Sequence, residues 1–377
     1  MLIANQLPLA FTQAENKGTA AAGSTANSAG ALAQAGPGGT ALGLSLGWNQ
    51  NGKFTINQLL NRNLNDIMGG FNFALAAAND GTAAATAHNG SSALAVANPE
   101  GFKGPYQVNT NGGRVSQGGS WGSDTQIAGG SAGADRVHQR GGLGDDLQAA
   151  VTGGGNDHIH QRGGLGRDQQ YASGDGGNDH ISQRGGWGDD FQVGLGGRGR
   201  DRIDQHGGLG NDQQVADGGD GSDRIRQRGG LGNDEQLATG GRGRDDIEQR
   251  GGWGNDKLAA SGGNGNDHIV QKGGLGNDEL RAGGGRGNDK IEMNGGWGND
   301  HLTYDVSQGR DKVSLNGGLG KDSADINGNG QNFSLVGADG KVLYSQGKGG
   351  SQIKVNGVEN LRVLGEDNKV LWSNAKK

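Results

Sequence analysis

Aspartate recurs at every eleventh residue over more than half of the chain. The series is Asp124, Asp135, Asp146, Asp157, Asp168, Asp179, Asp190, Asp201, Asp212, Asp223, Asp234, Asp245, Asp256, Asp267, Asp278, Asp289, Asp300, Asp311 and Asp322. Like carboxylates brought within about 5 Å of each other repel by roughly 1 kcal/mol in water and by several when partly dehydrated. A fold that stacks them must place a cation among them or hold them as neutral acids. Calcium is the natural cation, being hard, oxygen-seeking and tolerant of irregular ligand sets. Arginine is the rival, because Arg167, Arg200, Arg244 and Arg310 immediately precede ladder aspartates.

The elements that must position these carboxylates are written into the same period. Each half-repeat divides into a six-residue turn, GGxGxD, and a five-residue extended piece; the turn glycines permit positive φ and close backbone approach. Neighbouring halves differ and alternate halves agree, so the structural period is 22 residues, two halves per coil. One set of halves reads RIDQH, RIRQR, DIEQR and HIVQK, and the other reads QQVAD, EQLAT, KLAAS and ELRAG. Alternation in each makes two short strands that face each other across a flattened solenoid. Ile203, Ile225, Ile247 and Ile269 then meet small partners such as Ala216, Ala238 and Ala260. Gln205, Gln227 and Gln249 meet Gln192, Gln214 and Gln236, and buried amides of this kind are satisfied by stacking into ladders. The expected fold is all-β, a parallel β-roll or β-solenoid of about nine coils over residues 119–322.

The turn GGxGxD followed by an apolar residue resembles the calcium-binding nonapeptide of the RTX (repeats-in-toxin) family of secreted bacterial proteins. The resemblance implies a β-roll with Ca²⁺ held between successive turns by aspartate carboxylates and turn carbonyls. The nineteen aspartates above are the positions to which that ligand role carries over. It further implies type I export. The chain departs from the family in its 11-residue half-repeat, its glutamine-containing core and its many basic residues. Two weaker resemblances stand beside it. A Gly-rich, Cys-free, acidic chain with an Ala/Ser/Gln-rich N-terminus is similar to the harpins, which implies type III export. The Q-x-G-x-x-x-N spacing, as from Gln227 to Asn233, is similar to curli, which implies a calcium-independent fibre.

Composition agrees with a repeat architecture. With 83 glycines and 31% hydrophobic residues among 377, the chain has too little apolar volume for a conventional core. The absence of cysteine excludes disulfides and thiolate metal sites. No run of about 18 apolar residues is present, which predicts no membrane span, and the N-terminus lacks the basic stretch of a Sec signal. The expected location is secreted and extracellular. No nucleophile elbow, phosphate loop or isolated carboxylate pair occurs, so a catalytic role is not expected.

Outside the array, residues 1–43 and 76–118 read as flexible and low-complexity segments. Between them, in 44–75, Ile56, Leu59, Leu60, Leu64, Ile67 and Met68 recur at helical spacing after the N-cap Thr55. The preceding GWNQNGKFTINQLL resembles an EF-hand loop with amides where carboxylates belong, which implies very weak calcium affinity. Residues 323–377 alternate apolar and polar residues around Asp-Gly, Asn-Gly and Asp-Asn turns, predicting β-hairpins that cap the last coil.

Two surfaces suggest partners. The third turn residue on one edge is Trp121, Leu143, Leu165, Trp187, Leu209, Leu231, Trp253, Leu275, Trp297 and Leu319. This edge suits docking of another copy or of the N-terminal segment or, equally, side chains folded back over the turns, and it is the edge expected to hold the better calcium sites. The opposite strand presents Arg140, Arg162, Arg184, His206, Arg228, Arg250 and Lys272 in one row, which suits an anionic polysaccharide or a simple solvated face. His138, His158, His160 and His180 share that face. Nothing in the row reads as a specific nucleic-acid site.

Overall fold

In a computed structural model the chain is all-β, built of parallel stacked coils in a β-solenoid. The structure describes seven strands between Leu9 and Asn98, and residues 114–374 apart from 120, 121, 124, 131, 132, 366 and 367. Asp124, Trp121 and the helix expected over 55–68 lie outside the described residues, as does the EF-hand-like loop. The chain divides into two compact units, Met1–Trp187 and Gly188–Lys377.

The first unit carries strands Arg114–Gly118, Arg136–Arg140, His158–Leu165 and His180–Trp187, each parallel to the next. Facing them are Thr125–Gly129, Leu147–Val151 and Gln169–Gly176, again parallel. Partners differ by 22 residues in every pair, the period read from the sequence. Strand backbone also occurs in the stretches read from composition as flexible or as linker. Thr19–Thr25, Thr40–Leu46, Phe73–Asn79 and Ser92–Asn98 form a four-stranded parallel sheet. Composition weighs side-chain burial and is blind to backbone pairing in register, which is what these segments show.

In the second unit one sheet runs through Arg202–Leu209, Arg224–Leu231, Asp246–Trp253, His268–Leu275, Lys290–Trp297 and Lys312–Leu319. The other runs through Phe191–Gly199, Gln213–Gly221, Glu235–Arg242, Lys257–Asn264, Glu279–Gly287, His301–Asp305 and Ser323–Asn327. Alternate residues point inward: Ile203, Ile225, Ile247, Ile269 and Ile291 are fully buried, as are Ala216, Ala238 and Ala282.

The inward glutamines Gln227, Gln249 and Gln271 each do two things. In one sheet the Nε2 of Gln227, Gln249 and Gln271 donates to the Oε1 of the glutamine one coil earlier, at 2.8, 2.7 and 2.8 Å. The same nitrogens donate across the core to the carbonyls of Leu237, Ala259 and Arg281, each at 3.0 Å. Both amide hydrogens are thereby used, which is why a polar residue is tolerated at a fully buried position. In one sheet the ladder stops where Met293 takes the register after Gln271; in the other it ends at Gln214, and Gln236, the last glutamine before Leu258, donates only to the Arg250 carbonyl. From there the core is aliphatic through Leu280, Leu302 and Leu315.

The C-terminal cap departs from the expected set of hairpins. Phe333–Val336 and Val342–Gln346 do form one, around Asp339-Gly340, and Asn360–Leu364 pairs antiparallel with Val370–Ser373. The Asn356-Gly357 turn, however, makes no hairpin: Ser351–Asn356 continues parallel to Lys312–Leu319, and Asn360–Leu364 parallel to Ser323–Asn327. The segment is one more coil, with a hairpin inserted before it.

Breaking a glutamine ladder in its middle should cost more than its size suggests. Gln249→Leu removes the donor to Gln227 Oε1 and to the Ala259 carbonyl, and each buried group so orphaned costs about 1–3 kcal/mol. Thermal melting is expected to fall accordingly. The triple change at Gln227, Gln249 and Gln271 to Leu should lose less per substitution, because it removes side-chain partners together.

Candidate functional site

The turn brings every described ladder aspartate to the same place. Asp135 through Asp322 are 0–3% exposed, although each follows a surface turn. Two columns form in each unit. In the first, Asp135, Asp157 and Asp179 make one, and Asp146 and Asp168 the other. In the second, one column holds Asp201, Asp223, Asp245, Asp267, Asp289 and Asp311, and the other Asp190, Asp212, Asp234, Asp256, Asp278, Asp300 and Asp322.

Within a column the link is made through backbone. Oδ1 of Asp256 accepts the N–H of Asp234 at 2.8 Å, Oδ1 of Asp278 accepts the N–H of Asp256 at 2.8 Å, and the remaining pairs lie between 2.7 and 3.0 Å. A charge-assisted bond to a backbone N–H is stronger than a neutral one. The other oxygen, Oδ2, turns back into its own turn, and this explains the first glycine of the motif. A Cβ on Gly251 would collide with Oδ2 of Asp256, and one on Gly240 would stand 2.6 Å from Oδ2 of Asp245. The glycine at the fourth place answers a different demand: Gly254 has φ of 133°, and a Cβ there would run into the carbonyl of Gly232 in the coil before.

Oδ2 has no hydrogen-bond donor at Asp212, Asp223, Asp234, Asp245, Asp256, Asp267, Asp278, Asp289 and Asp300. Burial is the chief reason that these carboxyls resist ionisation. It pushes Asp157, Asp212, Asp256, Asp267 and Asp289 from an ordinary 3.8 up to about 6. Asp168, Asp223, Asp234 and Asp278 rise to about 7. The backbone hydrogen bond pulls each one down, and a neighbouring carboxylate in the column, Asp212 for Asp234, adds to the rise. Both edges show the same values, so the Leu/Trp edge offers no better acid than its opposite.

At Arg244 and Arg310 arginine does not answer the columns: Oδ2 of Asp245 has no donor, and that of Asp311 is met by hydroxyls. Arg167, Arg200, Arg244 and Arg310 are exposed at the fifth turn place. The ion pairs of the second unit instead run along the strand faces, as in Arg224–Asp246 at 2.7 Å and Arg202–Asp204 at 2.6 Å. The Arg row does form, with Arg140, Arg162 and Arg184 in register in the first unit. His206, Arg228, Arg250 and Lys272 align in the second, where Glu248 lies beside Arg250 and Arg226. Of the histidines, His138 packs edge-on to His160 and His158 to His180, each pair at 5.6 Å between ring centres.

Two features were not read from the sequence. The fifth turn residue makes a ladder of opposite polarity: Oδ1 of Asn233, Asn255, Asn277 and Asn299 accepts the fifth-place N–H one coil later, at 2.7–2.8 Å. The Asn that recurs before Asp from Asn211 to Asn299 along the Leu/Trp edge was the available signal. The columns also have terminators. Ser351 Oγ accepts the N–H of Asp311, and Glu359 Oε2 accepts that of Asp322 at 2.7 Å. At Asp311, whose turn has Val306 and Ser307 in place of the two glycines, Oδ2 takes hydroxyl hydrogens from Tyr304, Ser307 and Ser351 at 2.8, 3.0 and 3.1 Å. The inserted hairpin makes these separations 40 and 37 residues, which hides them from the 22-residue period.

Calcium fits the donor type: hard oxygen atoms, buried, without donors, one per coil. Among the described residues no three of Asp, Glu, His and Cys gather at one point. An ion would therefore take its carboxylate oxygens singly along the column, and the rest of its six to eight ligands from turn carbonyls.

The titration sets the pH dependence. Between pH 4 and 7 the folded chain holds more protons than the unfolded one, so stability falls as pH rises there. In chelator, denaturant melts should show full stability near pH 4, a progressive loss as pH rises from there, and a levelling off above the range of about 6 to about 7 where the column carboxyls ionise. A flat profile would mean that the columns are ionised throughout. Gly251→Ala should lower stability at every pH, by about 1–3 kcal/mol, since it forces the Asp256 carboxyl to move.

Comparison with known proteins finds no matching family model, no matching curated protein and no matching solved structure.

Proposed function

We propose that this chain is a secreted, calcium-responsive β-solenoid with a structural or adhesive role rather than a catalytic one. The observation that carries the reading is the set of buried Oδ2 atoms without hydrogen donors, repeated coil after coil in two columns. A calcium ion would supply there the positive charge that lets adjacent buried carboxyls give up their protons. The residues that would hold it are the column aspartates, through Oδ2, while Oδ1 keeps its bond to the coil before. Binding to the folded state alone adds stability by mass action, about 2.7 kcal/mol when calcium is a hundredfold above its dissociation constant. Outside a cell, where calcium is abundant, that linkage favours the coiled state; where calcium is scarce it is absent.

A second reading is a calcium-independent solenoid that self-assembles. It is favoured by the glutamine and aspartate hydrogen-bond ladders, which close without any ion, and by Asp311, where three hydroxyls stand around the carboxylate.

Thermal melts of the purified full chain at pH 7.5 separate the two. Millimolar calcium, but not the same concentration of magnesium, should raise the melting temperature by several degrees over the chelated protein. The isosteric pair Asp234→Asn with Asp256→Asn should lose part of that rise and gain stability in chelator, since it removes two acids that burial disfavours. Melts that coincide in calcium and chelator would support the ion-free ladder.

A further inference from the structure

The turns of the second unit carry a feature that the aspartate columns do not use. Leu209, Leu231, Trp253, Leu275, Trp297 and Leu319 stack in register along one edge. They do not fold back over the turns: the leucines are 36–66% exposed, and the indoles of Trp253 and Trp297 are 64% and 65% exposed. Adjacent coils lie about 4.8 Å apart, so the ridge is about 24 Å long and one side chain wide. The ridge is a strip a single side chain wide, unlike the broad patch through which each partner of a stable protein interface buries roughly 800 Å². A second copy of this chain is therefore a poor occupant, and a thin linear polymer is a better one.

Spacing and flanking chemistry narrow the class. Trp253 and Trp297 stand two coil steps apart, about 9.6 Å, with Leu275 between them. That is close to the length of two sugar rings in an extended β-1,4-linked chain, in which every second ring turns the same C–H face to one side. Indole faces attract such C–H surfaces. Two residues along the same turns, at most about 7 Å away, runs the row Asn233, Asn255, Asn277 and Asn299. Each of these residues is exposed and spends its Oδ1 on the backbone, which leaves its Nδ2 group available as a hydrogen donor at every coil. Donors in a row beside an apolar ridge match the hydroxyl rim and the C–H faces of a pyranose chain. These four amides are uncharged, which suits a neutral chain.

The geometry points to this edge as a binding site for a neutral, unbranched β-1,4-linked glycan. The test uses the full chain with microcrystalline cellulose and with chitin, followed by titration with cellohexaose and chitohexaose while indole fluorescence is read. Saturable depletion by at least one solid and a fluorescence change with its hexaose are expected, and the solid that depletes the protein identifies the sugar. Trp253→Ala with Trp297→Ala should weaken binding at least tenfold with an unchanged far-ultraviolet circular dichroism spectrum, because both side chains are exposed. Asn255→Ala with Asn277→Ala should weaken it severalfold. The proposal is overturned by a failure to bind either glycan saturably, or by equal binding of the double tryptophan variant. It is also overturned if sedimentation shows a dimer that this variant loses, since the ridge would then serve a second copy.

Discussion

A carboxyl group buried beside its own kind must hold a proton or meet a cation, and this chain imposes that choice at every eleventh residue. Most other features of the array follow from how the choice is accommodated. One oxygen of each aspartate is committed to the N–H of the aspartate a coil earlier, which fixes the stagger of the stack. The other is drawn into its own turn, against a position where only glycine leaves room. The motif GGxGxD is thus a single device, in which the acid and its first glycine cannot be changed independently.

Two side-chain ladders of opposite sense run along the turns, the second interrupted wherever Arg or Lys takes the fifth place. Sixth-place aspartates accept from the coil before, and fifth-place asparagines accept from the coil after. Every coil is therefore tied to both neighbours by side chain and by sheet, and this compensates for a core that is thin and, over much of its length, half amide. Where the glutamines end, leucines and Met293 take over, and the largest buried side chains follow, Tyr304 near the end of the array and Phe333 in the cap. The ends of the aspartate columns are closed by Ser351 and Glu359, so the last coil does not present the unsatisfied N–H groups that would invite another to stack on it.

The architecture was legible because its period is strict. Nineteen aspartates without a slip dictate the coil, and the Ile and Gln alternation dictates which face is buried; the register of Gln227 with Gln249 and of Ile225 with Ile247 is the one that spacing demands. What escaped notice was of two kinds. The asparagine ladder was visible as a pattern but carried no assignment, because an exposed amide on a turn has many uses. The Tyr304, Ser307 and Ser351 cluster at Asp311 could not be found from spacing, since the inserted hairpin of residues 333–346 displaces Ser351 from the period. The Asn356-Gly357 pair misled for a local reason: the dipeptide suits a hairpin turn, yet each strand beside it has a longer parallel partner in the stack, and the tertiary pairing prevails.

The central claim is that the column carboxyls are held back from ionising by burial and surrender their protons to calcium. Proton release measures this directly. Unbuffered protein held at pH 6.5, within the range to which burial raises these groups, is titrated with calcium chloride in a pH-stat. The account predicts saturable release of several protons per chain, smaller at pH 8, where the columns are already ionised. Calcium addition without proton release at pH 6.5, or release that never saturates, would contradict it.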